Sequence, residues 1–517
     1  MKRNILILSI FLISSLFQSC SDFLERASLS ALSNETYWQT EQDANRALAG
    51  CYDALQKGGL YFHFPGWDAT SPRELEFATD NGFFLWTNGY IGPDVLTINA
   101  LSPSASLVRT VWSACYAGIA RCNEVIVHVP EMTEEQINRD EANKIVSEAK
   151  FLRALLYNHL TSLYRDVPLS TEILTVATSQ IPKSPRAEVI AQVVSDLKEI
   201  TGAGMLPETN LNGRATRGAA LALLTRVYLY NEMYSEAASA ANEVINLNKY
   251  SLESSYESLF TGQGNNSNEI IFAVQFENTD ASGGEGGWLT YNWGYPMEWI
   301  TPYQNLADDF YCIDGQPIST SPLYDPDDDS NRDPRLSFSI ITPNSTWQWE
   351  TAKDAWWFWN SPSNLYVRKF QSEPNWGIAD NQDFYVLRYA DILLMRAEAL
   401  AKAGQNKEEI MNMINQVRQR ADVMMPKVED VEGSNLSYEQ LFEIIKHERR
   451  VELAFEGYRY FDLLRWKDME KAYAKCRAEG IGGSHIFNPE KDYVWPIPLS
   501  ELDNNKALVQ APEWGGR

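Results

Sequence analysis

Two carboxylates four residues apart, Glu452 and Glu456, are the first arrangement in this chain that could do chemistry. Glycosidic cleavage needs carboxyls that face each other across the scissile bond. Side chains at i and i+4 project from one helix face and cannot flank a bond. Around the pair stand Glu448, Arg449, Arg450, Arg459, Asp462 and Arg465, interleaved with Val451, Leu453, Phe455, Tyr460, Phe461, Leu463, Leu464 and Trp466. If the helix continues, Arg459–Asp462 and Asp462–Arg465 have the spacing of helical ion pairs. The pattern predicts a partly buried salt-bridge network rather than a catalytic centre.

A second candidate is the acidic run Asp325-Pro326-Asp327-Asp328-Asp329-Ser330-Asn331. Asp325, Asp327 and Asp329 could offer calcium the first three ligands of a loop site. However, Ser330 stands where an EF-hand needs Gly, and Leu336 where it needs a bidentate Glu. A solvated acidic turn is the reading that fits. His63, His128, His159, His447 and His485 are scattered, and His159 lies beside an apolar helix face, as a core histidine would. No phosphate-cradling glycine loop and no GxSxG elbow occurs. These features point away from an enzyme.

Aromatic residues carry the strongest remaining signal. Nine of the sixteen tryptophans fall between Trp288 and Trp376. Gly283, Gly284, Gly286 and Gly287 precede Trp288-Leu289-Thr290-Tyr291-Asn292-Trp293-Gly294-Tyr295, and Trp299 follows. Earlier, Phe83-Phe84-Leu85-Trp86-Thr87-Asn88-Gly89-Tyr90 has the same mixture of rings and amide. The glycines put these rings on loops rather than in a regular core, with Asn88 and Tyr295 as polar neighbours. Rings packing the segment's own core are the alternative, since large aromatics are mostly buried.

The chain start carries an address. Lys2 and Arg3 precede an apolar run from Ile5 to Leu16, too short to span a bilayer, and Ser19-Cys20 follows. This predicts a signal peptide over 1–19 and a lipidated Cys20. A net charge of −25 excludes nucleic acid as a partner. Cys51, Cys115, Cys122, Cys312 and Cys476 form no CxxC pair and no disulfide framework.

Helical elements must position these groups. Ile145, Ala149, Leu152, Leu156, Leu160 and Leu163 mark one buried helix face. Ala220, Leu223, Leu224, Val227 and Tyr230 mark another, answered after a tight connection by Ala237, Ala241, Val244 and Ile245. The plan returns with Ile392, Met395, Ala399 and Ala403, then Gly404 as a helix stop, then Ile410, Ile414, Val417 and Ala421. Ser437-Tyr438-Glu439-Gln440 reads as a capping box. These are degenerate helical hairpins of tetratricopeptide type, which must stack to bury their faces. Residues 251–380 differ, being rich in Gly, Pro, Asn, Asp and Trp with short strand-like runs such as Ile270–Val274. The expected fold is mostly α: a hairpin scaffold over about 20–250 and 381–517 carrying a loop-rich face over about 251–380, in a single domain of 20–517.

Three stretches extend this reading. Glu448-Arg449-Arg450-Val451-Glu452-Leu453-Ala454-Phe455-Glu456-Gly457-Tyr458-Arg459-Tyr460-Phe461-Asp462-Leu463-Leu464-Arg465-Trp466 resembles the late-helix signature of SusD/RagB-like proteins. Arg388-Tyr389-Ala390-Asp391-Ile392-Leu393-Leu394-Met395-Arg396 and the ending Trp495-Pro496-Ile497-Pro498 are similar to family segments too. The resemblance implies an outer-membrane lipoprotein facing the cell exterior. It would capture an oligosaccharide and act as the lid of a TonB-dependent SusC-like transporter. It further implies ligand-binding rings among Trp86, Asn88, Tyr90, Trp288, Trp293, Tyr295 and Trp299, with no catalytic residue and no cofactor. Peptide capture, as in RagB-like members, is the alternative, and a surface glycoside hydrolase the more distant one.

Overall fold

Helix starts are set by side chains that take up the first free amides. In the computed structural model Thr40 and Asp43 form a capping box that opens α1 (Glu41–Asp53), and Asn138 caps Asp140 at the start of α3 (Arg139–Leu163). The structure describes residues 37–516 apart from 62–73, 85–93, 203, 210–212, 262, 278–299, 348–349, 352–360 and 372–380. Between α1 and α3 runs α2 (Ser106–His128). Next come α4 (Arg186–Ile200), α5 (Arg217–Tyr230) and α6 (Tyr234–Asn246). The later set is α7 (Tyr389–Ala403), α8 (Lys407–Arg418), α9 (Tyr438–Glu452), α10 (Arg459–Trp466) and α11 (Met469–Glu479).

Successive helices pack in pairs, α2 on α3, α3 on α4, α5 on α6 and α7 on α8, and α7 also packs on α6. The two hairpin sets therefore stack, as the repeated pattern predicts. Gly404 ends α7 in the left-handed region at φ 67°, and the Ser437–Gln440 capping box opens α9. One apolar core runs from Ala44 to Leu508. Every residue of α3 from Phe151 to Thr161 is buried, as is nearly all of α5 and α7. These central helices are covered on all sides, so the single face marked by periodicity understates their burial. No helix among the described residues is long and apolar enough to cross a membrane. The five described cysteines are free and buried, small apolar groups in a packed interior.

The strands are short, and all pair antiparallel in two-stranded ribbons. β1 (Gly82–Phe84) pairs with β3 (Ile300–Pro302), and β2 (Ile270–Val274) with β8 (Phe384–Arg388). β4 (Ile340–Ile341) pairs with β7 (Tyr366–Val367), while β5 (Thr346–Trp347) and β6 (Glu350–Thr351) form a hairpin. The run Ile270–Val274 is thus the strand its composition suggests. Buried β8 leads directly into α7, and both β8 and β2 lie against α5.

Candidate functional site

The paired carboxylates lie in the interior and are fully engaged. Glu452 is the last residue of α9, and Glu456 lies in the following turn, where Phe455 takes φ 66° and Gly457 φ 87°. The helix stops there, which corrects the expectation that both project from one helix. Glu452 Oε1 accepts from Arg388 Nη1 at 2.9 Å and Arg420 Nη2 at 2.8 Å, and Oε2 from Arg335 Nη1 at 3.0 Å. Glu456 accepts from Lys369 Nζ at 2.7 Å and Arg388 Nε at 2.6 Å. Burial opposes ionisation of Glu452, but Arg420, Arg388 and Arg335 overcome it and hold the carboxyl well below its usual range. Burial pushes Lys369 down to about 8, against the pull of Glu456. Neither carboxylate is free to move a proton to a substrate. What they do is mechanical. Arg335, Lys369 and Glu269 belong to the loop-rich stretch, so the layer welds that stretch to the helical scaffold.

Partners further along differ from those read from spacing. Asp462 takes Arg465 at 2.7 Å, as expected, and Arg449 at 2.8 Å. Arg459 pairs instead with Asp80, at 2.8 and 2.9 Å. That contact is informative because Asp80 stands at the base of β1. Arg450 Nε donates to Asn81 Oδ1 at 2.9 Å and its Nη2 to the Asp80 carbonyl at 2.6 Å. Asn81 Nδ2 donates to Glu76 at 2.6 Å, and Glu76 also accepts from the amides of Phe455 at 2.8 Å and Gly457 at 3.2 Å. Burial pushes Glu76 up to about 7, against those donors. Arginines near Asp80 hold its carboxyl well below the usual range despite burial. The late charged signature therefore bolts down the root of the β1 ribbon.

From the other end of that ribbon the aromatic segments depart. The β1–β3 register pairs Gly82 with Pro302, Phe83 with Thr301 and Phe84 with Ile300. One residue past Phe84 begins 85–93, with Trp86, Asn88 and Tyr90, and one residue before Ile300 ends 278–299, with Trp288, Trp293, Tyr295 and Trp299. All seven ring and amide candidates lie outside the described residues, as does Cys20. Their anchor points, however, are adjacent Cα partners at one end of one ribbon. β3 lies beside β7, where Tyr366 Oη accepts from the Ser361 amide at 2.9 Å, at the exit of 352–360 with Trp356, Trp357 and Trp359. Three aromatic-rich segments are thus tethered around two neighbouring short ribbons. Phe84 itself turns inward against Phe77 at 5.4 Å, and Phe83 against Tyr303 at 4.9 Å.

The acidic turn holds itself together. Asp325 Oδ1 accepts from the Asp327 amide at 2.9 Å, Asp328 caps Ser330, and Asp329 accepts from Thr342. Among the described residues no group of three or more His, Cys, Asp or Glu converges to hold a metal. His159 is a core residue, hydrogen-bonded to Tyr61 and pushed down to about 3 by burial. Sequence reasoning missed Glu76, Asp80 and Asn81. The signal was present: a polar Glu74–Asn81 run directly before an aromatic cluster.

Comparison with known proteins agrees with this architecture. Residues 268–514 match a family model described as the SusD family, and residues 22–229 one described as starch-binding associating with outer membrane. A SusD-like protein of Formosa agariphila is 27% identical, over 98% of both chains. A crystal structure of a SusD-like carbohydrate-binding protein from Bacteroides fragilis superposes with a TM-score of 0.80 at 25% identity, covering 91% of this chain and 99% of that one. A laminarin-binding SusD-like protein matches with a TM-score of 0.72 at 24% identity, over 92% and 100%.

Proposed function

This chain belongs to the SusD/RagB-like family, and on that premise we propose that it captures oligosaccharides at the cell surface and delivers them to a TonB-dependent SusC-like transporter. In this reading residues 1–19 are removed and Cys20 carries the lipid that holds one domain, 20–517, at the outer membrane. The observation that carries the reading is the β1–β3 pairing, which tethers the Trp86-Asn88-Tyr90 segment beside the end of the Trp288–Trp299 segment. Rings from both segments would share one platform, stacking on sugar faces while amide and hydroxyl groups bond the hydroxyls. Convergence of few polar groups with many rings suits binding rather than turnover. The similar solved structures include a carbohydrate-binding and a laminarin-binding protein, which favours glycan over peptide.

The test is a binding screen of the mature protein against soluble starch, laminarin, other polysaccharides and a peptide library. Saturable glycan binding in the micromolar to millimolar range supports the proposal, since about 4–8 kcal/mol is what a shallow aromatic platform delivers. Binding to peptides alone overturns the ligand class.

A further inference from the structure

The loop Gly480-Ile481-Gly482-Gly483-Ser484-His485-Ile486 touches residues on both sides of the Trp86 segment. Ahead of that segment, Gly482 lies against Phe83 and Tyr303, so closely that a Cβ there would meet the Tyr303 hydroxyl and lie 2.7 Å from the Phe83 ring. Behind it, the Ile486 amide donates to the Thr97 carbonyl at 2.9 Å, at the end of the short helix Asp94–Thr97. The loop also reaches the root end of β3. His485 is wholly buried, and its Nε2 lies 2.9 Å from Tyr303 Oη, one residue past β3. His485 Nδ1 lies 3.1 Å from the Gly483 carbonyl, so Nδ1 carries the proton and Nε2 accepts from the tyrosine. Arg477 Nη1 in turn holds the His485 carbonyl at 2.6 Å. Gly482 sits at φ 77°, Gly483 at 112° and His485 at 46°, a run of left-handed residues kept by these contacts.

We infer that the 480–486 loop is the positioning element of the ligand face, locking the β1–β3 ribbon and the helix Asp94–Thr97, which anchor the aromatic segments, in one register through Gly482, His485, Ile486 and Tyr303. The inference rests on the reading that those segments carry the ligand. Its residues touch the anchors and need not touch sugar. A platform of rings from two segments binds more tightly when their separation is fixed beforehand, because each side chain ordered on binding costs conformational freedom.

Gly480 supplies a matched control. It takes φ 69°, yet a Cβ there would meet nothing within 4 Å. Gly482→Ala and Gly480→Ala thus share the backbone penalty of a left-handed alanine, and only Gly482→Ala pushes into the ribbon. Hydrogen exchange on the mature chain reads the anchors directly. Gly482→Ala should speed exchange about tenfold in peptides covering 81–84, 94–100 and 300–303, while Gly480→Ala should not. Retardation by laminarin or soluble starch should weaken about tenfold in Gly482→Ala and not in Gly480→Ala. Tyr303→Phe, which removes the hydroxyl without adding bulk, should shift both readouts the same way by less, and it decides the matter if Gly482→Ala does not fold. Unchanged exchange in Gly482→Ala and Tyr303→Phe overturns the inference, as does an equal rise in Gly480→Ala. Faster exchange with unaltered polysaccharide affinity overturns it too. If the wild type binds neither polysaccharide, the ligand reading fails, while the exchange comparison still decides whether the loop locks the anchors.

Discussion

Replacing Glu452 by Ala removes one carboxylate from among three guanidiniums. Arg335 keeps Asp333 and Glu448, Arg388 keeps Glu269 and Glu456, and Arg420 keeps Glu269. Each cation therefore retains a partner, and the loss is that of one broken buried pair plus a small void, about 3–5 kcal/mol. For 517 residues the unfolding entropy is about 1.1 kcal/mol per kelvin, so the melting temperature should fall by about 3–5 °C. Scanning calorimetry reads this, with Glu452→Gln, which keeps an acceptor and the volume, falling less. Glycan affinity of the folded fraction should not change, because the carboxylate is wholly buried. A variant that melts normally but loses binding refutes the structural role.

Three further outcomes follow from the same structure. Glu452 has a folded pKa below its unfolded value, so its contribution is present above about 4.5 and is lost only as pH falls through its lower folded value; Glu452→Ala should be most harmful at neutral pH and least in strong acid, by chemical denaturation. Burial raises Asp383 from 3.8 to about 7, with the Phe276 amide opposing, so its effect has the opposite sign: stability declines as pH rises from about 4 to 7. Asp383→Asn, which keeps a carbonyl acceptor for Phe276, should flatten that slope in denaturation between about pH 4 and 7. Cys20→Ala should move the protein from the membrane pellet to the soluble fraction, and a variant that stays in the pellet contradicts the anchor.

Local signals carried much of this fold. Gly404, the Ser437–Gln440 box and the Ile270–Val274 run each act within a few residues, and each occurs as read. The helical hairpins were legible because alanines and leucines repeat at helical spacing. Other features depend on distant partners. Arg459 finds Asp80 across 379 residues, which no window of sequence displays. The stop after Glu452 rests on a left-handed Phe455, a residue type that gives no hint of it. β1 and β3 are three residues each, too short for alternation to show, and only their pairing brings the aromatic segments together. The candidate site was legible as residue types, rings and amides among glycines, while its assembly was not.

Calorimetric titration of the best-bound glycan into Trp86→Ala, Trp288→Ala, Trp293→Ala and Trp299→Ala, each with its melting temperature, tests the central claim most directly. A ring stacked on the ligand should cost about 1–3 kcal/mol of binding and leave melting unchanged. At least one variant from each segment should behave so, because the β1–β3 ribbon tethers both to one place. A ring in a packed core would instead cost about 3–5 kcal/mol of stability. If all four variants melt early and their folded fractions bind normally, the rings are core and the platform proposed here is wrong.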